Sequence, residues 1–242
     1  MFAGLALAAL GACAAPTLPA NPEDPFEERN RKVHAFNKEL DRVALRPASQ
    51  VYGAVIPAPL RGSVSNFAAN LSLPSDILNY ALQGNLVSAA DSTGRFLVNS
   101  TFGLAGFFDP ATALGTPVDS TDFGETLHVW GAGEGAYLER PVFGPATARD
   151  FAGGLVDLVI NPVGQILDAP EINYARGTRV ASTLDTRFTF SNTIDSVLYD
   201  SADSYAQARL AYLQRRRFEL GQTVESAPSD FQDDLYDDLF IE

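Results

Sequence analysis

The sequence has few of the residues that build disulfides and metal sites. Among its 242 residues there are one cysteine and two histidines, His34 and His128. A single cysteine excludes an internal disulfide, and a transition-metal site would need both histidines together with carboxylates. We therefore expect no metal and no bound cofactor.

Basic residues are also scarce, with 17 Lys and Arg against 30 Asp and Glu and a net charge of −13. This balance argues against nucleic acid as a partner, because phosphate binding needs clustered Lys and Arg. Between Pro47 and Glu139 the only basic residues are Arg61 and Arg95, so the middle of the chain carries little charge. Residues 222–242 are strongly acidic, and we expect them to form a disordered tail.

Long hydrophobic runs are missing as well. Residues 96–108 form an uncharged stretch, but a helix that spans a bilayer needs roughly twenty apolar residues. The stretch therefore predicts either a buried core helix or a segment that dips into one leaflet. Residues 151–167 have the same character, with Asp157 as the one charge and Pro162 in the middle.

The single cysteine, Cys13, follows Leu10-Gly11-Ala12 and the apolar residues 2–10. An apolar run that ends in small residues is typical of a secretory leader, and a cysteine at that point is typical of bacterial lipoprotein processing. The alternative is a buried structural cysteine. We expect residues 1–12 to be a signal peptide, Cys13 to be lipidated, and residues 13–23 to be a flexible Pro/Ala tether. Ala14, in place of an aspartate, favours the periplasmic side of the outer membrane.

Residues 24–221 are predicted to form one predominantly helical domain. Phe26, Val33, Phe36, Leu40 and Val43 recur at helical spacing after a predicted cap at Asp24 and before Pro47. The periodicity favours a helix that covers a core, although a helix on an anionic membrane surface has the same pattern. Further helices are predicted within residues 66–86 and over residues 187–220.

A Gly-rich segment, residues 131–135, lies between two short aromatic and β-branched runs, residues 123–130 and 136–139. This arrangement predicts a hairpin or an ordered loop. A phosphate-binding loop is disfavoured because the segment lacks the Gly-Lys-Ser/Thr ending and carries Glu134.

Catalytic patterns are missing too. There is no Gly-x-Ser-x-Gly motif, and a solvated turn accounts for the carboxylates of Asp122 and Glu125. We therefore expect that the protein is not an enzyme.

A set of short motifs, in order along residues 24–221, matches the pattern of a known family. They are Asp24-Pro25-Phe26-Glu27, Asn30-Arg31, Phe36-Asn37 to Asp41, Arg46-Pro47, Ser65-Asn66-Phe67, Asn79-Tyr80, Leu82-Gln83-Gly84, Arg95-Phe96, Asn99-Ser100-Thr101, Gly103-Leu104-Ala105-Gly106-Phe107-Phe108-Asp109-Pro110-Ala111, Phe123-Gly124-Glu125-Thr126-Leu127, Gly131, Gly133, Gly135, Tyr137, Arg149-Asp150, Tyr205, Arg209, Tyr212 and Arg215. On these residues the chain resembles the MlaA/VacJ family of outer-membrane lipoproteins.

The resemblance implies a ring-like, all-α protein with a small Gly-rich hairpin or loop, embedded in the inner leaflet of the outer membrane. It implies a central amphipathic channel that removes mislocalised phospholipid from the outer leaflet and passes it to a soluble periplasmic lipid-carrier protein. It also implies a trimeric porin as a partner. The alternative is a structural lipoprotein that associates with porin without transferring lipid.

The candidate residues for the lipid path or the membrane-facing surface come from the uncharged stretch and from the Gly-rich segment with its flanks. They are Phe96, Phe102, Leu104, Phe107, Phe108, Phe123, Gly131, Gly133, Gly135 and Tyr137.

Overall fold

The computed structural model describes residues 24–222, and within this range helices dominate, which confirms the predominantly all-α class. The helices are α1 Glu27–Leu40, α2 Arg46–Val55, α3 Ala58–Asn70, α4 Leu73–Leu82, α5 Leu86–Thr101, α6 Pro110–Ala113, α7 Phe123–Val129, α8 Ala148–Ile160, α9 Pro162–Ile166, α10 Glu171–Thr189, α11 Ser191–Asp195 and α12 Ser204–Glu219. Two π-helical turns, Asp41–Leu45 and Ser196–Asp200, and an antiparallel hairpin of β1 Tyr137–Arg140 and β2 Gly144–Thr147 complete the fold. The predictions for the signal peptide, Cys13, the tether and residues 223–242 lie outside the described residues.

Many of the helices have a side-chain cap at their N-terminus. In each case a short polar side chain accepts a hydrogen bond from a backbone N–H in the first turn, a donor that would otherwise lack an intrahelical partner. The capping residues are Asn85, Asp109, Asp122, Thr147, Asn161 and Asp203.

The predicted cap at Asp24 is wrong. Helix α1 begins at Glu27, and the Asp24 side chain is buried, where it accepts hydrogen bonds from Asn30 and Tyr205. The predicted end before Pro47 is also wrong, because α1 continues through the turn Asp41–Leu45 into α2. Pro47 is the second residue of α2, directly after the π-helical turn that already interrupts the regular i→i−4 hydrogen bonds.

The pattern over residues 187–220 is not one helix. Helix α10 ends at Thr189, and the chain passes through α11 and a π-helical turn before Asp203 caps α12. The bend brings Asp195 back to Arg187, with an N–O distance of 2.6 Å. At the far end α12 stops at Glu219, and Gly221 adopts a positive φ of 64°, as expected for a helix stop.

The hairpin lies one segment later than the sequence predicts. Residues 123–129 form α7, because the Asp122 side chain accepts from the N–H of Glu125 and starts a helix there. Residues 130–136, with the Gly-rich segment, form an ordered loop, and the strands that follow pair around residues 141–143. The loop is thus confirmed, and a hairpin around residues 131–135 is wrong.

The packed pairs of elements close into a circuit. Helix α1 packs on β1, β2 on α8, α8 on α7, α7 on α4 and α4 on α5; α5 then packs on α3, α3 on α10 and α10 on α2, which is continuous with α1. Helix α12 contacts both β2 and the turn Ser196–Asp200. This closed circuit agrees with the ring-like arrangement that the resemblance implies.

The distribution of polarity is inverted relative to a water-soluble domain. Among residues 24–222, 17 polar or charged residues are buried but only 10 hydrophobic ones, whereas 30 large hydrophobic side chains are exposed. Soluble monomers rarely expose so much apolar surface. None of the helices in this range combines the length and the apolarity needed to cross a membrane.

Candidate functional site

The first candidate surface is the turn of residues 102–108 after α5, which presents apolar side chains outward. Phe102 is 81% exposed, Leu104 64% and Phe108 56%, while Phe107 is 41% exposed and stacks on Phe67 with ring centroids 4.8 Å apart. The alternative that residues 96–108 form a buried core helix is therefore wrong. We call residues 102–108 the apolar turn.

A polar cluster beneath the apolar turn holds it in place. Arg95 donates to both carboxylate oxygens of Asp109, and Asn99 donates to the same carboxylate at 2.8 Å. Asn70 donates to the carbonyl oxygen of Ala105 at 3.2 Å. These contacts support a backbone in which Leu104 and Ala105 have positive φ values of 53° and 60°, a conformation that costs L-residues free energy.

The other predicted site residues lie in different environments. Phe96 is half-buried, and Phe123 is 9% exposed, so Phe123 is not part of an exposed apolar surface. Tyr137 is 2% exposed and belongs instead to the wall of a cavity of about 650 Å³ beside α12. Phe123 is buried because it lies in the first turn of α7, which packs on α8.

The three glycines of the Gly-rich loop are exposed and differ in backbone conformation. Gly131 and Gly135 have positive φ values of 92° and 73°. A Cβ atom on Gly135 would meet the Cβ of Ala148 at 2.8 Å, whereas a Cβ on Gly131 or Gly133 would meet open space. Gly135 is thus the position of this loop that most requires glycine.

Other exposed apolar side chains lie on α1, α2, α8 and α9, outside the predicted site residues. On α1 and the following turn, Phe36 and Val43 are exposed while Asn30, His34 and Asp41 are buried, so the interpretation of a helix covering an apolar core is wrong. Further members of this surface on α2, α8 and α9 are Val51, Val55, Phe151, Leu155, Leu158, Val159 and Ile166. Their sequence signal is apolar residues recurring in stretches that almost lack charge.

The buried polar side chains form networks. Asn30 donates to the carbonyl oxygen of Tyr137 at 3.1 Å and accepts from the N–H of Glu139 at 3.0 Å, which ties α1 to β1. Arg187 of α10 donates to both carboxylate oxygens of Asp41, each at 2.8 Å. Because the charges of Arg187 and Asp41 are paired, the interior remains polar without the large penalty of an unpaired buried charge, although Nη1 of Arg187 is buried without a hydrogen-bond partner.

Asp76 differs from the carboxylates of these networks because its pKa is raised. It borders a cavity of about 290 Å³ together with Arg95, Asn99 and Asp109, and it is 6% exposed. Burial raises the pKa of Asp76 to about 7, and the neighbouring carboxylates of Asp157 and Asp122 raise it further, although the N–H of Thr121 donates to it. Sequence reasoning missed this residue, because its burial depends on how α4 packs on α5 and α7.

Metal binding has no support in this part of the chain. Between residues 24 and 222, no group of three or more His, Cys, Asp or Glu side chains is arranged to hold a metal ion.

The chain is similar to proteins of one known family. A scan against protein families matches the MlaA lipoprotein family over residues 22–219. The chain belongs to the MlaA lipoprotein family. The Escherichia coli K12 protein named intermembrane phospholipid transport system lipoprotein MlaA is 33% identical over 223 residues, covering 88% of this chain and 87% of that protein. The Haemophilus influenzae protein of the same name is 31% identical over 225 residues, covering 90% and 86%.

The fold matches the same family. A solved structure described as "Structural basis for maintenance of bacterial outer membrane lipid asymmetry" superposes with a TM-score of 0.71 at 30% sequence identity. The match covers 81% of this chain and 98% of that one. The MlaA match spans the described helices from α1 to the end of α12, so every element that forms the apolar turn and the polar interior lies within it.

Proposed function

We propose that this chain is an outer-membrane lipoprotein that removes mislocalised phospholipid from the outer leaflet and passes it to a periplasmic carrier, which maintains lipid asymmetry. The single observation that carries the proposal is the inverted polarity, with apolar side chains outside and hydrogen-bonded polar networks inside. An apolar exterior suits hydrocarbon, and a polar interior suits the headgroup of a transported lipid. Relatives named for phospholipid transport support the same role.

The proposed location is the inner leaflet, with Cys13 carrying the covalent lipid and the apolar turn contacting acyl chains. One acylated residue benefits from additional apolar contact for stable anchoring, and Phe102, Leu104 and Phe108 provide it. Intact-mass analysis of the membrane-extracted protein should show the loss of residues 1–12 and added acyl mass. An unmodified Cys13 with the leader retained would contradict this part of the proposal.

We further propose that a trimeric porin and a soluble periplasmic lipid carrier are partners, and that the protein moves lipid without bond cleavage. The polar side chains of the interior are largely engaged with each other, as Asp41 is with Arg187 and Asp109 with Arg95. Such groups are suited to fixing the shape of a path more than to activating a nucleophile.

The test is removal of the protein from its native host. We expect more phospholipid in the outer leaflet, unchanged total phospholipid, and restoration by the intact chain. Lysophospholipid that accumulates only when the protein is present would indicate a hydrolase instead. If the outer leaflet is unchanged but porin assembly is altered, a structural porin-associated lipoprotein would be the better account.

A further inference from the structure

A cavity of about 350 Å³ lies between α8, α9 and α10, outside the apolar turn and its polar cluster. One part of its wall is apolar, and two guanidinium side chains of α10 border the other part. The apolar residues are Leu71, Leu158, Val163 and Ile172, and the two cations are Arg176 and Arg179. A cavity with both kinds of wall can accept a molecule that has an anionic end and an apolar end.

The two arginines stand out because they have no partner. Most of the 17 basic side chains form ion pairs, including Arg95, Arg187 and Arg216 with buried or half-buried carboxylates. Among the basic side chains of residues 24–222, only those of Arg29, Arg176 and Arg179 form neither an ion pair nor a hydrogen bond, and the last two border this one cavity. In an acidic protein with 30 carboxylates, two unpaired neighbouring guanidinium groups are a notable concentration of positive charge.

Their spacing suits one ligand. Residues three apart on a helix lie on the same face, so Arg176 and Arg179 can both reach an anion placed over α10. Guanidinium groups bind phosphate oxygens through paired N–H donors. Thr178, between them, is satisfied locally, since its hydroxyl donates to the carbonyl oxygen of Ala175 at 2.9 Å.

Asp157 is the one acid in the cavity wall, and its charge is already engaged. Its two carboxylate oxygens accept hydrogen bonds from the Nδ2 of Asn79 and the N–H of Phe123, each at 2.9 Å. Asn161 also borders the cavity and is occupied as the cap of α9. The groups left without partners are therefore the two arginines.

Apolar side chains at the rim lead from this cavity to the exterior. Leu158 in its wall is 78% exposed, and Leu71, Val163 and Ile172 of the same wall are half-buried. A phospholipid whose acyl chains contact these residues would place its phosphate beside α10.

We propose that this cavity binds the phosphodiester of a phospholipid, with Arg176 and Arg179 contacting the phosphate oxygens and the apolar wall contacting the adjoining acyl chain. This inference rests on the proposed transport function and gives it a headgroup site. It identifies the ligand by its chemistry, a phosphodiester next to hydrocarbon, and so predicts that neither a free phosphate nor an uncharged diacylglycerol is an equivalent ligand.

The test uses the full-length lipoprotein, purified in a non-ionic detergent, and calorimetric titration with dihexanoylphosphatidylethanolamine. Arg176→Gln combined with Arg179→Gln should weaken binding by about tenfold, since hydrogen bonds to charged groups of this kind contribute that much. The matched control is Arg29→Gln, which removes the other unpaired arginine, on α1, and should leave the affinity unchanged. All three positions are exposed, so helix content should be retained.

Two further ligands separate the possible sources of the phosphate. Inorganic phosphate and dihexanoylglycerol should each bind more weakly than the phospholipid by about tenfold or more. Equal binding of inorganic phosphate would assign the site to a free anion and overturn the lipid assignment. Unchanged phospholipid affinity in the double variant would overturn the proposal outright. Should the double variant lose helix content, salt provides the second measurement: binding to wild type must weaken as ionic strength rises, because exposed charges are screened, and salt-independent binding would overturn it.

The same variants in cells distinguish this inference from the transport function. If wild type and the double variant clear the outer leaflet equally and bind phospholipid equally, the headgroup site is wrong and the transport function stands. If the arginines bind phospholipid in vitro but wild type clears nothing, the headgroup site stands and the transport function fails.

Discussion

Arg95 of α5 donates to both carboxylate oxygens of Asp109, at 3.1 and 2.9 Å, and this pair closes the base of the apolar turn. Arg95 is also one of the two basic residues between Pro47 and Glu139. In a stretch with only two basic residues, one of them thus links α5 to the residue that follows the exposed apolar turn. Asp109 also caps α6 by accepting from the N–H of Thr112.

Asp109→Ala should lower the free energy of unfolding by about 3 kcal/mol, because it leaves the Arg95 guanidinium buried without its carboxylate. The cap of α6 is lost in the same variant. Urea unfolding of the detergent-solubilised protein, followed by helix content, measures the effect. The control is Asp119→Ala, at an exposed position in the wall of the cavity of about 290 Å³ that Asp109 also borders. This variant should change stability little. Equal stability of the two variants would show that the Arg95–Asp109 pair does not hold the turn.

Phe102→Asp should weaken membrane retention while the protein stays folded. Phe102 is 81% exposed, so no internal packing is lost, but a carboxylate would be placed in hydrocarbon. The measurement is the fraction bound to vesicles in a Cys13→Ala background, which excludes any contribution of the proposed covalent lipid to retention.

The matched control is Gln207→Asp, which adds the same charge at an exposed position of α12. If both variants partition like their parent, the apolar turn does not contact the membrane. If Phe102→Asp unfolds, the turn has a packing role that its exposure does not reveal.

Much of the helical layout could be predicted from the sequence, because the signals are local. The start of α4 near Pro74 and the end of α12 before Gly221 follow from backbone restrictions of these two residues alone. Where a long-range contact decides the conformation, the same reasoning failed. Asp24 looks like a cap, but Asn30 and Tyr205 bind its carboxylate in the interior.

The faces of the helices were harder to predict than their bounds. Periodicity shows that α1 has two sides, but it does not state which side faces inward. The usual assumption buries Phe36 and Val43, and the structure buries Asn30 and His34 instead. His34 is satisfied there by Ser204, with an Nε2–Oγ distance of 3.1 Å, and by Glu139, whose Oε1 lies 3.4 Å from Nδ1. A contact 170 residues away in the chain is not visible in a local pattern.

Gly135→Val should impair phospholipid clearance, whereas Gly133→Val should be nearly neutral. A Cβ at residue 135 requires both a positive φ and a 2.8 Å approach to Ala148, which would push the loop away from the start of α8. At residue 133 a Cβ meets nothing within 4 Å. Outer-leaflet phospholipid in cells that carry each variant, with protein levels compared by blot, measures the difference. Clearance that is unaffected by both substitutions would make the Gly-rich loop a connector only.

Asp76→Asn should stabilise the protein at pH 8 and have a much smaller effect at pH 4. Burial raises the pKa of Asp76 to about 7 in the folded protein, against about 4 in an unfolded chain. A carboxyl with a raised folded pKa contributes its stability at low pH, where it is protonated in both states. This contribution falls as the pH rises from about 4 through about 7, because the unfolded state ionises first. The neutral amide of the variant avoids that loss.

The measurement is the difference in midpoint temperature between Asp76→Asn and wild type from pH 4 to pH 8. The difference should increase up to about pH 7 and then level off, since above that pH both states of wild type are ionised. Glu125, whose pKa is raised by burial, and His128, whose pKa is lowered by burial, titrate nearby but are present in both proteins. Their contributions therefore largely cancel in the difference. A difference that stays constant with pH would mean that the pKa of Asp76 is the same in the folded and the unfolded protein, so that burial does not raise it.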